Sequence, residues 1–109
     1  MAQWVYMTAG SLDEARRIGR YLVSENLAAC VNMIDGMESV YVWDGELQED
    51  REAVLIAKTT TERLPDLVSA VKSLHSYDCP CIVALAIEGG NPDFLDWISG
   101  AVRFRNPSG

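Results

Sequence analysis

The run Ser39-Val40-Tyr41-Val42-Trp43-Asp44-Gly45-Glu46 decides the fold. Asp-Gly between two extended segments signals a tight hairpin, because both central turn positions take positive φ. Ala28 to Trp43 and Glu46 to Thr60 therefore read as its two arms. In the first arm, Val40 and Val42 alternate with Ser39, Tyr41 and Trp43. In the second, Glu52, Val54, Ile56 and Lys58 alternate with Ala53, Leu55, Ala57 and Thr59, the period of a strand. Asp35-Gly36 interrupts the first arm and predicts a bulge or bend. Arms of about 14 residues exceed the usual strand of about 5–6, so the hairpin reaches past any sheet it helps to build.

Working outward, Gln3 to Ala9 (Trp4-Val5-Tyr6-Met7-Thr8) is rich in aromatic and β-branched residues and reads as a first strand. Ser11-Leu12-Asp13-Glu14 is a capping box opening a helix to about Asn26, with Leu12, Ala15, Ile18, Leu22 and Val23 on its inner face. Leu64, Leu67, Val68, Val71 and Leu74 repeat at helical spacing, and Pro65 suits a first turn. Cys81 to Ile87 is a strand apolar on both faces. Asn91-Pro92 starts a short C-terminal helix whose inner residues are Phe94, Leu95, Ile98 and Val102. The order β-α-β-β-α-β plus a terminal helix is the ferredoxin-like α+β arrangement, with both long helices on one face of the sheet. Residues 1–109 form one domain by this reading, ordered over about 3–103 with a frayed tail at 104–109.

The chain has 109 residues, 49% hydrophobic, with 16 acidic against 9 basic side chains and a net charge of −7. That balance argues against nucleic-acid binding, which is built from lysine and arginine contacts to phosphate. No apolar run is long enough to span a membrane, and Met1-Ala2-Gln3-Trp4 lacks the features of a secretory signal, so the expected location is the cytoplasm. The apolar share is high for so small a core. Two helices leave one sheet face bare, yet Trp4-Val5-Tyr6-Met7 and Ile82-Val83-Ala84-Leu85 do not alternate as a half-wet strand should. Val40, Tyr41, Val42, Trp43 and Leu47 add apolar surface on the arm. A closed homo-oligomer covers both; a hairpin curled back over its own sheet is the alternative.

Cys30, Cys79 and Cys81 are an odd set without a disulfide framework, and they read first as small buried apolar residues. Cys79 and Cys81 with His75 are the sharper alternative, a soft-metal cluster that lacks a fourth ligand. Catalytic motifs are missing: the sequence holds no nucleophile elbow, no Ser/His/Asp set and no phosphate-cradling glycine loop. Cys30 with His75 makes a nucleophile–base pair only if folding joins them. The chain is not expected to be an enzyme, and no cofactor is required. An RNA-recognition sheet and a C-x-x-C copper chaperone also fail, for want of aromatic RNP residues and of the paired cysteines after the first strand.

Leu27-Ala28-Ala29-Cys30-Val31-Asn32, Gly36, Ser39-Val40-Tyr41-Val42-Trp43-Asp44-Gly45, Lys58-Thr59, His75-Ser76-Tyr77-Asp78-Cys79-Pro80 and Gly90-Asn91-Pro92-Asp93-Phe94-Leu95-Asp96-Trp97-Ile98 occur in that order. The set resembles the CutA divalent-cation tolerance family, from Val5 to about Arg103. The resemblance implies a PII-like homotrimer of ferredoxin-like subunits, associated with tolerance of copper and other divalent cations. The family's copper-ligand positions fall on Met7, Leu74 and His75. Leu74 has no donor, so Met7 and His75 are the metal candidates. Asn32, Tyr41, Trp43, Glu52, Lys58 and Tyr77 also match family positions. They are candidates for a small-ligand site in an intersubunit cleft, where Lys58 would favour an anionic ligand; an interface ion-pair network is the structural alternative. Glu46, Glu49 and Asp50 read as a solvated edge near the hairpin tip.

Overall fold

The structure is a computed structural model that describes residues 1–103; the expected frayed tail lies outside them. Strand β1 (Ala2–Ala9) leads into helix α1 (Leu12–Ser24). Strands β2 (Cys30–Trp43) and β3 (Glu46–Thr60) form the hairpin, followed by helix α2 (Leu64–Leu74), strand β4 (Ile82–Ala86) and helix α3 (Pro92–Ala101). One antiparallel sheet carries the strands in the order β2-β3-β1-β4.

The local signals act as their chemistry requires. Asp44 and Gly45 take φ of 52° and 77°, the left-handed pair of a tight hairpin turn. Ladder register slips between Ile34 and Met37, so β2 spends three steps where β3 spends two. Gly36 supplies the positive φ (77°) of that bulge, and the Asp35 carboxylate accepts its N–H at 2.8 Å. Ser11 Oγ caps α1 by accepting the Glu14 N–H at 3.1 Å, and Asn91 Oδ1 caps α3 from the Asp93 N–H at 3.1 Å.

Side-chain alternation sorts the sheet into two faces. Val5, Met7 and Ala9 of β1 and Ala53, Leu55 and Ala57 of β3 pack under Ala15, Ile18 and Leu22 of α1 and Leu67 and Val71 of α2. That is the main core. On the other face, α3 covers only one end, packing Ile98 and Val102 with Ala2 and Ala29. Ile34, Val83 and Leu85 lie exposed on the remainder. Part of the apolar character of β1 and β4 thus has no cover among the described residues.

Two expectations change, at Phe94 and Val23, and the alternative of a curled-back hairpin falls away. Phe94 is exposed and stacks on Trp97 at 5.5 Å, because the inward stripe of α3 is carried by Leu95, Ile98 and Val102. Val23 likewise points outward, one residue past the buried Leu22. The hairpin does not curl back: β1 pairs β3 only over residues 53–60, and Val40, Val42, Trp43 and Leu47 stay exposed. The projecting arm gives extents of 50 × 32 × 21 Å and a radius of gyration of 14.9 Å, against about 13 Å for a compact chain of this length.

Candidate functional site

Glu14 organises the end of the sheet from which the arm departs. The sequence marks it as the third helical residue of a capping box, whose carboxylate should return to the cap N–H. Instead Oε1 accepts the Gly10 N–H at 3.0 Å and Oε2 accepts the Ser76 N–H at 2.7 Å. One buried carboxylate therefore joins the β1–α1 turn to the α2–β4 loop. Burial pushes its acidity toward weaker, but the bonds from Ser76 and Gly10 outweigh this and hold the carboxyl below its ordinary value.

His75 is locked into the same loop. Its Nδ1 accepts the Tyr77 N–H at 3.0 Å, so Nε2 carries the proton and donates to the Thr8 carbonyl at 2.7 Å. Its side chain is 1% exposed. The Tyr77 ring packs on the imidazole with centroids 4.7 Å apart. From there the Tyr77 hydroxyl donates to Glu52 Oε2 at 3.1 Å, linking the loop to the root of the hairpin arm.

These contacts frame a pocket of about 610 Å³. Its walls include Tyr41 and Trp43 of β2, Glu52 of β3, and Tyr77, Asp78 and Cys81 of the loop before β4. The bulge is what brings Tyr41 and Trp43 there. Before it, even-numbered residues of β2 face the uncovered side of the sheet; after it, odd-numbered ones do. Tyr41 donates its hydroxyl to Asp50, so that carboxylate, expected to be merely solvated, supports a pocket wall. Among the described residues, no lysine or arginine lines the pocket.

The field inside is negative. Tyr77 is pushed up to about 12 by burial first, then by the Glu52 charge and its hydrogen bond. Burial and Glu52 also raise the Cys81 thiol. Tyr41 is raised by its bond to Asp50, with smaller contributions from burial and from the Asp50 and Glu52 charges.

The structure divides the predicted ligand set. Tyr41, Trp43, Glu52 and Tyr77 come together. Asn32 and Lys58 do not: the Lys58 ammonium donates to Asn32 on the open sheet face, opposite Trp4. Lys58 lies six residues from Glu52 along β3, about 20 Å at strand rise. That separation is readable from spacing alone. The metal pair is also unsuited to coordination as it stands. Met7 is fully buried in the main core, and both His75 nitrogens are engaged. Among the described residues, no three His, Cys, Asp or Glu side chains converge as a metal cluster. This covers the His75, Cys79 and Cys81 set as well. Cys79 and Cys81 are exposed rather than buried, because they precede β4 at the pocket rim; Cys30 is half-buried.

Sheet order, projecting hairpin and pocket together define an α+β ferredoxin-like fold with a long hairpin arm. The family described as CutA1 divalent ion tolerance protein matches residues 3–101. The divalent-cation tolerance protein CutA of Thermus thermophilus is 49% identical over 98 residues, which cover 90% of this chain and 95% of that protein. Its solved structure superposes with a TM-score of 0.88. The solved structure described as the periplasmic divalent cation tolerance protein CutA from Archaeoglobus fulgidus is 42% identical, covers 94% of this chain and 100% of that one, and gives a TM-score of 0.91. A chloroplastic rice CutA 1 is 43% identical over 91% of this chain, which spans 56% of that longer protein. This chain belongs to the CutA1 divalent ion tolerance family. No helix among its described residues is long and apolar enough to cross a membrane.

Proposed function

We propose that this protein is a homotrimeric, non-catalytic divalent-cation tolerance protein of the cytoplasm that contacts cations through the pocket beside Glu52. The observation carrying this reading is the pocket itself, walled among the described residues by carboxylates and thiols and by no basic side chain. Copper or another divalent ion is the expected cargo. Glu52 and Asp78 offer oxygen, and Cys79 and Cys81 offer sulfur for softer ions. A tight site needs more ligands than one chain brings together there, so subunit packing would have to supply the rest. The trimer is supported by the uncovered face bearing Ile34, Val83 and Leu85 and by the apolar arm.

Calorimetric titration with Cu(I), Cu(II) and Zn(II) tests the reading. Glu52→Gln should weaken binding about tenfold, as loss of a charged ligand does, while Met7→Leu, a volume-conserving change in the core away from the pocket, should leave affinity unchanged. Affinity lost only in Met7→Leu would return the site to the Met7–His75 pair. No binding in any form would refute the cation reading.

An anionic ligand retains one favourable observation: Lys58 and Asn32 present a hydrogen-bonded cation on the face that subunits would bury. A thermal-shift screen of nucleotides and organic anions, repeated on Lys58→Ala, tests that second, PII-like sensor reading.

A further inference from the structure

The pocket's chemistry selects among cations. Two of its aromatic walls have their hydroxyl protons committed, Tyr41 to Asp50 and Tyr77 to Glu52. What these rings offer an incoming ligand is therefore their faces and their edge oxygens. Trp43 lines the same pocket and adds the most electron-rich face. Glu52 spends one oxygen on Tyr77 and keeps a second for a positively charged group, with Asp78 also on the wall.

Three ligand classes compete for such a space. An anion would meet Glu52 and Asp78 with no lysine or arginine among the described lining residues to offset them. A hard, hydrated divalent ion takes about six or more oxygen ligands, and the described residues of one chain gather too few here to replace its water without help from a second chain. An organic ammonium ion needs neither. Its charged head is far less strongly hydrated than a divalent metal ion, and its methylene or methyl groups gain from aromatic faces. One or two carboxylates suffice to balance its charge. The volume of about 610 Å³ matches a small organic ligand and greatly exceeds a bare ion.

We infer that the Tyr41–Trp43–Tyr77 walls and the Glu52 carboxylate form a recognition site for small organic ammonium ions. Burial is the main cause of the raised Tyr77 and Cys81 and the Asp50 hydrogen bond of the raised Tyr41, and the Glu52 charge adds to all three in the direction a cation site requires. The inference rests on the pocket being a cation-contact site, and it names the class of cation this chain's own residues accommodate.

Putrescine and tetramethylammonium are the probes, titrated into the intact full-length protein while the Trp43 indole N–H is followed by NMR. Both should bind saturably, with dissociation constants of about 10 mM or tighter. Trp43→Leu and Glu52→Gln should each weaken binding about tenfold, with Trp43→Leu followed on the Tyr77 amide. Citrate should give no shift. Zn(II) run in parallel separates the two readings. Zn(II) binding that depends on Glu52, with no response to either ammonium ion, would overturn this inference and leave the cation reading intact. Ammonium binding that is equally strong in Glu52→Gln would also overturn it.

Discussion

The Tyr77 hydroxyl donates to Glu52 across 25 positions of sequence, so the loop after α2 and the root of the hairpin arm hold each other in place. The bond keeps one wall of the pocket fixed against another. It also ties that wall's protonation to the fold, and the consequence is measurable.

Tyr77 titrates near 12 in the folded chain against 10.0 when free. Its folded value is raised, so the unfolded chain releases the proton first. The stabilisation is full below about pH 10 and is lost as pH rises toward 12. Wild type and Tyr77→Phe should therefore differ in stability at neutral pH and converge across that alkaline window. Denaturant unfolding at stepped pH checks this; a difference that stays constant would refute it.

Glu14 has the opposite sign. Its folded carboxyl lies below 4.5, so its contribution is present above about pH 4.5 and fades as pH falls through the folded value. Glu14→Gln replaces one accepting oxygen by a donor facing a backbone N–H, which should cost about 2 kcal/mol at neutral pH. Guanidinium unfolding should show that loss at pH 7 and a smaller one in acid.

Gly36 holds a φ of 77° where a side chain is strained, and a Cβ there would approach the Arg51 guanidinium at 3.3 Å. Gly36→Val should destabilise by about 1–2 kcal/mol. Thermal unfolding with circular dichroism reads it, and an unchanged midpoint would show that the bulge tolerates another backbone.

Leu85 stands 61% exposed on the open sheet face. A lysine there should cost the monomer little, since the site is solvated within one chain, but it would bury an unpaired charge in any sheet-to-sheet assembly. Light scattering after size exclusion should show Leu85→Lys falling from three chains to one. A wild type that already runs as a monomer would refute the assembly.

Features set by neighbours along the chain are legible in the sequence itself. Asp44-Gly45 specifies its turn and Asp35-Gly36 its bulge through φ alone, and Ser11 and Asn91 cap helices within three residues. Bonds between distant segments are not legible in this way. Glu14 looks like an ordinary capping residue because Ser76, its partner, is 62 positions away. His75 looks like a free ligand because periodicity cannot reveal that Thr8 and Tyr77 occupy both nitrogens. The exposure of Cys79 and Cys81 is hidden for a related reason: apolar composition says which residues can be buried, but not which strand end lacks a cover.

The extra residue at Asp35-Gly36 acts as a phase-setter for everything beyond it. Upstream, Asn32 and Ile34 share a face; downstream, Met37, Ser39, Tyr41 and Trp43 inherit it. Straightening the bulge with every residue retained would leave every side chain of the arm chemically intact yet exchange Tyr41 and Trp43 for Val40 and Val42 on that face. The pocket would trade its aromatic walls for aliphatic ones. Binding chemistry in this chain is thus encoded by a count, whether the arm is odd or even, as firmly as by the identity of any residue in it.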